Sequence, residues 1–488
     1  MINYGQDAAA SSATAPFPKP KVPALVGAIA ATALVLLIPT PEGLSPEGHR
    51  LMALFIGALI LWATEAIPIS VTSLLVIAIQ PLFGLIDLGG AMQNAMTPVF
   101  FFVLVMFLIA LAFTKTGLAQ RFALWMLSKA GTDAKRAVYV FCIGAGAISM
   151  IVSDVPAAAI FLAIALPIFG KLGISAEKGS NFGKAVMLGI PIAALIGGVG
   201  TPAGSSINLL GLEIIVQQGG ERISFVEWMA LGIPMVLVLV PLTAWVLVRM
   251  FPPEFETIGA LADLEEERRR MGPIRADEWK LIAVMAVMFV LWVLTSWPQL
   301  YPAALAPLSN IFLVSMLGGV AMFLPGINLI GWKEAQSNVG WDVLLLLFAV
   351  VSLGALSSST GLAPWLVDAT LGDVATWNFV VILLAISVFT VVIHLMLPIN
   401  PVINVVMIPP IMALGTAAGF SPELFALPVI FTASCAFLLP LDAVPLVTYG
   451  KGYYKMFDML KPGIPVSIAW VIVMTVLMLI IGPLIGLL

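Results

Sequence analysis

Long apolar stretches dominate this chain, and short polar stretches rich in Gly or Pro separate them. Many approach the roughly 20 apolar residues that a helix needs to cross a bilayer. They lack the apolar/polar alternation of barrel strands, so the pattern predicts an all-α polytopic membrane protein. About eleven transmembrane helices are predicted, near residues 23–40, 48–66, 68–86, 97–116, 184–217, 228–250, 278–297, 307–326, 340–360, 424–450 and 463–487.

Two further apolar segments, 137–170 and 378–415, are interrupted near the middle. The interruptions are the sequences SDVP at 153–156 and PINP at 398–401. Each segment could form two half-length helices joined by a turn inside the membrane. Because a turn exposed to lipid would leave backbone groups unpaired, we expect each turn to face protein or water. Both segments are therefore predicted to be re-entrant hairpins.

The distribution of basic residues supports this topology. With the N-terminal tail in the cytoplasm, all of the 22 Lys and Arg residues except Arg50 and Arg222 fall on the inner side. Cytoplasmic loops characteristically carry this excess of positive charge. Only 10% of the residues are charged and the mean hydropathy is +1.10. The sequence thus predicts a protein of the inner (plasma) membrane, surrounded by lipid. It predicts no nucleic-acid partner.

An internal repeat divides the chain. The segment VLVMFLIALAFTKTGLAQ at 103–120 recurs as LLLFAVVSLGALSSSTGLAP at 345–364. Each half would hold an odd number of spans plus one hairpin, so the halves would have opposite orientations, as in many transporters. The TGLA stretches are interpreted as helix-ending turns. The predicted division is a cytoplasmic tail (1–22), a first transmembrane helix (23–47), repeat 1 (48–250), a cytoplasmic linker (251–277) and repeat 2 (278–488).

Four interrupted elements are expected to converge at one depth: the two hairpin tips and two unwound stretches, GTPAGSSIN at 200–208 and LPLDAVPLVTYG at 439–450. A helix that begins in mid-membrane has unpaired N–H groups and a partial positive charge at its start. Such helix starts can bind an anion without Lys or Arg. The predicted substrate-binding residues are Ser153, Val155, Thr201, Pro202, Asn400, Pro401 and Pro445.

Cations need oxygen ligands, which unwound carbonyls, hydroxyls and amides such as that of Asn404 could provide. Asp154 and Asp442 are ionisable at membrane depth, where a functional role is the default interpretation. Either could hold Na⁺ or carry H⁺, which would neutralise its charge before an anion arrives. The remaining acid and base candidates, Glu65 and His394, are interpreted as structural. The predicted cation-binding residues are Ser153, Asp154, Gly200, Ser205, Asn208, Asn400, Asp442 and Ala443, with sodium as the metal if sodium drives transport.

Several of these motifs resemble the divalent anion/sodium symporter family, whose members carry dicarboxylates, tricarboxylates or sulfate. The resemblance rests on WATEAIPISVTSLL at 62–75, the repeated TGLA stretches, GTPAGSSIN, and SCAFLLPLDAVPLVTYGKGYY at 434–454. It covers nearly all of the chain after the first span. The resemblance implies a homodimer in which a transport domain slides against a scaffold domain like an elevator.

The hairpin tips depart from the family's paired Ser-Asn-Thr pattern. Here they read SDV at 153–155 and INP at 399–401, so only Ser153 and Asn400 match, and Asp442 is an added acid. The resemblance implies that these tips hold sodium and the substrate carboxylate.

The leading hypothesis is cation-coupled symport, with Na⁺ or H⁺, of a small divalent organic anion such as a C4-dicarboxylate. The alternative is exchange of dicarboxylates or related anions such as sulfate or sulfonates. A channel is a further possibility. An intramembrane aspartyl protease would need Asp154 and Asp442 to share a proton. The inverted repeat argues against that enzyme, so no catalytic residue and no organic cofactor are predicted.

Overall fold

The computed structural model describes residues 21–259, 266, 268–370, 372–395, 397 and 400–486. Most of the predicted tail and two residues of the second hairpin tip, 398 and 399, lie outside these ranges. Within them the regular structure is helical, without a β-strand. The first half contains α1 (Val22–Leu37), α2 (Pro46–Thr64), α3 (Ile69–Leu82), α4 (Leu88–Ala95), α5 (Pro98–Thr116), α6 (Leu118–Ser128), α7 (Ala134–Val152), α8 (Asp154–Lys171), α9 (Asn181–Gly198), α10 (Ser206–Gln217) and α11 (Phe225–Met250).

The second half repeats the order of α2 to α11. It contains α12 (Ala276–Leu294), α13 (Ile311–Ala321), α14 (Trp332–Asn338), α15 (Trp341–Ser359), α16 (Leu362–Thr370), α17 (Phe379–Ile393), α18 (Asn400–Ala417), α19 (Pro422–Thr432), α20 (Ala443–Tyr449) and α21 (Leu460–Ile481). The recurring TGLA stretches are the corners between α5 and α6 and between α15 and α16, as expected. Gly117 and Gly361 have φ values of +76° and +73° there, a left-handed conformation that glycine adopts without strain. The opposite orientation of the halves stays a prediction.

Eight helical segments of the described chain are long and apolar enough to cross a membrane: α5, α7, α8, α9, α11, α15, α18 and the stretch that ends with α21. A ninth would be the pair Ala303–Ser309 and Ile311–Ala321, which is bent by 89°. The predicted spans 184–217 and 424–450 are each divided into two helices, α9 with α10 and α19 with α20. The exact count of about eleven stays a prediction, because several apolar helices, such as α1 and α3, are shorter than 18 residues.

The segment 137–170 forms α7 and α8, which meet at Ser153. These helices contain 19 and 18 residues, and the break between them occupies the single residue Ser153. The predicted interruption of this segment is therefore present in the structure. The second segment forms α17 and α18, with 15 and 18 residues. Whether either pair re-enters the side it left stays a prediction.

Close helix packing brings the interrupted elements of the two halves together. In the first half α7 packs against α8 and α9, and in the second half α18 packs against α19. Between the halves, α10 contacts α18, and α20 contacts both α8 and α9. The backbones of α7 and α9 approach so closely that a Cβ on Gly197 would lie 2.1 Å from the carbonyl oxygen of Gly146. The fold therefore positions the start of α20 beside α8.

The predicted linker is attached to the start of α9. The Glu254 carboxylate accepts hydrogen bonds from the backbone N–H groups of Asn181 and Phe182 and from the Ser180 hydroxyl. Burial raises the pKa of Glu254, but these donors outweigh it and hold the pKa of the carboxyl below its ordinary value of 4.5. The negative charge lies at a helix N-terminus, where it interacts favourably with the helix dipole.

Candidate functional site

The turn between α7 and α8 is organised around the Asp154 carboxylate. Ser153 has a φ of +86°, an unusual conformation for a residue with a side chain. Asp154 Oδ1 accepts the Val155 N–H at 2.9 Å and the Ser153 hydroxyl at 3.1 Å. Asp154 Oδ2 accepts the Ser205 hydroxyl at 3.2 Å, and the residue is only 6% exposed. The carboxylate therefore joins the turn between α7 and α8 to the first unwound stretch, and its oxygens have lone pairs left to accept further contacts.

Asn208 organises that unwound stretch, which lies between α9 and α10. Its amide nitrogen donates to the carbonyls of Gly198 at 2.8 Å and Thr201 at 3.0 Å. Two carbonyl acceptors fix the orientation of the amide, because only the nitrogen can donate. Its Oδ1 is buried and makes no hydrogen bond. The Thr201 hydroxyl donates to the Met150 carbonyl of α7 at 2.7 Å, which holds the stretch against the turn.

The second half supplies two more buried amide oxygens. Asn400 begins α18, is 2% exposed, and its Oδ1 has no hydrogen-bond partner. Asn404, one turn later, donates from Nδ2 to the Ile207 carbonyl of α10 at 2.9 Å, and its Oδ1 is likewise unpaired. A buried polar atom without a partner costs about 1–3 kcal/mol. Three such oxygens on α10 and α18, which pack together, are acceptors suited to a hard cation such as Na⁺.

Asp442 begins α20 as its N-cap. Its Oδ1 accepts the Val444 N–H at 3.0 Å, and the residue is 8% exposed. The carboxylates of Asp442 and Asp154 are near enough for their charges to repel each other. A cavity of about 10 Å³, about the room that one water needs, is lined by both Asp442 and His394. His394 Nε2 lies 2.6 Å from the Ala433 carbonyl.

The structure thus connects Ser153, Asp154, Ser205, Asn208 and Thr201 by hydrogen bonds or a shared loop. Asn400 belongs to the adjacent α18, and Asp442 begins the helix that packs on α8. The other predicted residues flank these groups. Val155 is 37% exposed beside the turn, Gly200 and Pro202 belong to the unwound stretch, and Pro401, Ala443 and Pro445 lie in the first turns of α18 and α20.

One predicted residue, Pro445, has a backbone role in the structure. The Pro445 carbonyl accepts the hydroxyls of Thr448 and Tyr454, both at 3.2 Å. Ser434 was missed by the sequence analysis, although its hydroxyl is buried and unpaired in the segment between α19 and α20. Its position in the motif SCAFLLPLDAVPL was the available signal. Groups of three or more His, Cys, Asp or Glu side chains that could hold a metal do not occur within the described ranges.

Comparison with known families decides the class of protein. Residues 19–488 match the model of the sodium:sulfate symporter transmembrane region. The chain belongs to this family of sodium-coupled symporters. Its members are transporters and not enzymes, so the chain is a multi-pass membrane transporter and the protease interpretation is discarded. The resemblance found in the motifs is confirmed.

Relatives of this symporter family member cover nearly the whole chain. A protein named sodium-dependent dicarboxylate transporter SdcS from Staphylococcus saprophyticus is 28% identical over 93% of this chain and 90% of its own length. The protein of the same name from Staphylococcus aureus is 27% identical over 93% and 89%. A membrane protein from Cupriavidus necator is 27% identical over 91% and 89%.

Two solved transporter structures share the fold of this family member. Neisseria gonorrhoeae MtrF, described in a study of antimetabolite efflux pumps, aligns with a TM-score of 0.54 at 14% identity, over 94% of this chain and 93% of MtrF. The Alcanivorax borkumensis YdaH transporter, described as having an unusual topology, aligns with a TM-score of 0.53 at 16% identity, over 81% and 86%. At such low identity the similarity concerns the fold alone.

Proposed function

We propose that this transporter moves a small divalent organic anion, of the C4-dicarboxylate class, across the inner membrane together with Na⁺. The observation that carries the proposal is the group of unpaired buried amide oxygens on Asn208, Asn400 and Asn404, next to the network of Asp154. Hydroxyl, amide and carboxylate oxygens are the ligands that hard cations prefer. The names of the staphylococcal relatives support the same ion and substrate class.

The proposed mechanism has the cation and the anion at neighbouring positions. Na⁺ binds among the oxygens around Asp154, Ser205 and Asn208 and neutralises local negative charge. The anion then binds near Ser153 and Asn400, where the dipoles of α8 and α18 place partial positive charge at the helix starts. In this proposal the N-terminus is cytoplasmic, the protein is a homodimer, and one domain carries the filled site across the membrane like an elevator.

Proton coupling is a second candidate, favoured by one observation. Asp442 lies within electrostatic range of Asp154 and shares the water-sized cavity with His394. Two carboxylates that repel each other favour uptake of a proton by one of them. In this variant a proton on Asp442 or Asp154 replaces Na⁺. Anion exchange remains the alternative in which no cation is needed.

Transport into proteoliposomes separates these mechanisms. Uptake of labelled succinate, malate, citrate, sulfate and a sulfonate is measured with a Na⁺ gradient, a pH gradient or neither. Sodium symport predicts accumulation of the dicarboxylates under the Na⁺ gradient in vesicles that contain no substrate. Uptake only into preloaded vesicles would establish exchange, and a dependence on the pH gradient alone would establish proton coupling. Non-saturable flux of all anions would contradict a transporter with a defined site.

A further inference from the structure

A second cavity, with a volume of about 330 Å³, lies between α10, the start of α11 and the segment that joins α12 to α13. It extends from Arg222, which is exposed in the loop before α11, to Pro202 of the first unwound stretch. Small-molecule sites typically have volumes of about 300–1,000 Å³. We propose that this cavity is an access site for the anion, in which Arg222 binds a substrate carboxylate before the substrate reaches the hairpin tips. The inference rests on the proposed transport of a divalent organic anion and on the proposed orientation, which places Arg222 outside.

One face of α10 forms a continuous wall between the loop and the unwound stretch. The residues of α10 that line the cavity are Leu209, Leu212, Glu213 and Val216. Positions three or four residues apart are neighbours on a helix surface, so these side chains share one side of α10. The helix begins directly after Ser205, whose hydroxyl donates to the Asp154 carboxylate. A route along this wall therefore leads to the network around Asp154.

The guanidinium of Arg222 interacts with two neighbours. It lies over the Phe312 ring of α13, with Cζ 5.9 Å from the ring centre. Its charge also interacts with that of Glu213, which is half-buried in the α10 wall. Neither of these interactions is a hydrogen bond, and a guanidinium has five N–H donors that suit a carboxylate. An incoming carboxylate can therefore form two parallel hydrogen bonds with Arg222 and replace Glu213 as the partner of its charge.

The other carboxylate that lines the cavity, Glu227, has a structural role. Its Oε2 accepts the Ser224 N–H at 2.7 Å, and the Ser224 hydroxyl accepts the Glu227 N–H at 3.3 Å, which is the capping box that begins α11. The helix dipole stabilises a negative charge at this position. Glu213 is therefore the carboxylate that competes with the anion for Arg222. Because the anion has to replace Glu213, it binds weakly, as a position that it must leave again requires.

Transport assays that separate the two faces of the membrane test the proposal. At saturating Na⁺, uptake of labelled succinate into intact cells gives the KM at the outer face, and uptake into inverted membrane vesicles gives the KM at the inner face. R222Q should raise the outer KM about tenfold, the factor for one lost charge-assisted hydrogen bond, with unchanged inner KM and maximal rates. R222K keeps the positive charge and should restore most of this loss. E213Q removes the competing carboxylate and should lower the outer KM about threefold, since less of the binding energy is lost in replacing a neutral amide.

The matched control is R50Q, which removes the other basic residue predicted to lie outside. Arg50 pairs with Glu47 and does not line the cavity, so R50Q should leave both KM values unchanged. An unchanged outer KM in R222Q would overturn the proposal, even if the maximal rates fell, because Arg222 would then have only a structural role. An equal rise of the outer KM in R50Q would also overturn it, since the charge of the whole outer surface would then attract the anion. Failure of the wild type to transport succinate would instead refute the proposed function, so the two failures are distinguishable.

Discussion

Replacement of Asp154 by Asn tests the proposed ion site with little change of shape. The amide has nearly the same size as the carboxylate, and its oxygen can still accept the Val155 N–H and the Ser153 hydroxyl. On the other side, the amide nitrogen can donate to the Ser205 hydroxyl, which only has to rotate. The variant therefore removes one negative charge and keeps the turn. We expect D154N to fold and to insert as the wild type does.

The size of the effect follows from the burial of the group. A unit charge about 4 Å from a bound cation interacts with it by about 4 kcal/mol at an effective dielectric constant of about 20. The carboxylate is itself desolvated in the site, which offsets part of this energy. A net loss of about 3 kcal/mol corresponds to an increase of roughly a hundredfold in the Na⁺ concentration for half-maximal uptake. Discrimination between succinate and sulfate should change much less, because the helix starts that are proposed to bind the anion remain.

Uptake at fixed succinate is measured over a Na⁺ titration and at several pH values in wild type, D154N and E65Q. Glu65 is exposed at the end of α2, so E65Q should retain the wild-type titration. A loss of pH dependence in D154N with an unchanged Na⁺ titration would assign a proton rather than Na⁺ to this carboxylate. If D154N responds to both Na⁺ and pH like the wild type, Asp154 has no role in coupling and the reasoning is wrong.

The other predictions concern the second hairpin tip, helix packing and the linker. N400A should lower the rate of dicarboxylate uptake at least tenfold with an unchanged elution volume, since the amide oxygen has no protein partner to lose; normal kinetics would place the site elsewhere. G197A should lower the unfolding temperature in detergent, at a cost of about 1–3 kcal/mol or more, because its Cβ would clash with the Gly146 backbone. The matched control is G170A, since a Cβ on Gly170 would meet no atom within 4 Å. Equal unfolding temperatures of the two variants would refute the close packing. E254Q should lower stability by less than about 1 kcal/mol at pH 7 because the side chain is exposed. The pKa of Glu254 is lowered in the folded protein, so its contribution to stability is present above about pH 4.5 and is lost as the pH falls through the pKa of the folded state. The free energies of unfolding of wild type and E254Q should therefore converge at low pH. Parallel pH profiles would contradict this.

Features encoded by local sequence were predictable. Gly117 and Gly361 mark helix corners because they adopt positive φ, and the apolar lengths between such residues determine the order of the helices. The break at Ser153 and the start of α18 at Asn400 were likewise predicted from an Asp or Asn near a Pro, a pattern typical of helix starts. The shortness of the break between α7 and α8 was not predicted, because a single residue with a positive φ, Ser153, turns the chain there.

Features that depend on tertiary contacts could not be read from the sequence. The sequence indicates Asn404 only as a possible cation ligand. Its bond to the Ile207 carbonyl depends on which face of α18 meets α10, and hydrophobic periodicity is weak in a helix that is apolar on nearly all sides. The same limit explains why Ser434 was missed. The internal repeat was the signal for the predicted residues that lie close to one another. Helix breaks at equivalent positions in two halves are a better guide to the site than residue type alone.

The two halves of the proposed site differ in charge, and this difference implies an order of binding. The first tip has the carboxyl group of Asp154 where the second has the neutral amide of Asn400, and Asp442 adds a second carboxyl group at the start of α20. A dianion entering beside two ionised carboxylates would be repelled by about 2 kcal/mol for each pair of unit charges about 8 Å apart, at an effective dielectric constant of about 20. The partial positive charge at a helix start offsets only part of this repulsion, since it is smaller than a unit charge. In the proposed mechanism the cation, or a proton, therefore binds before the anion, and this order couples the movement of the anion to that of the cation.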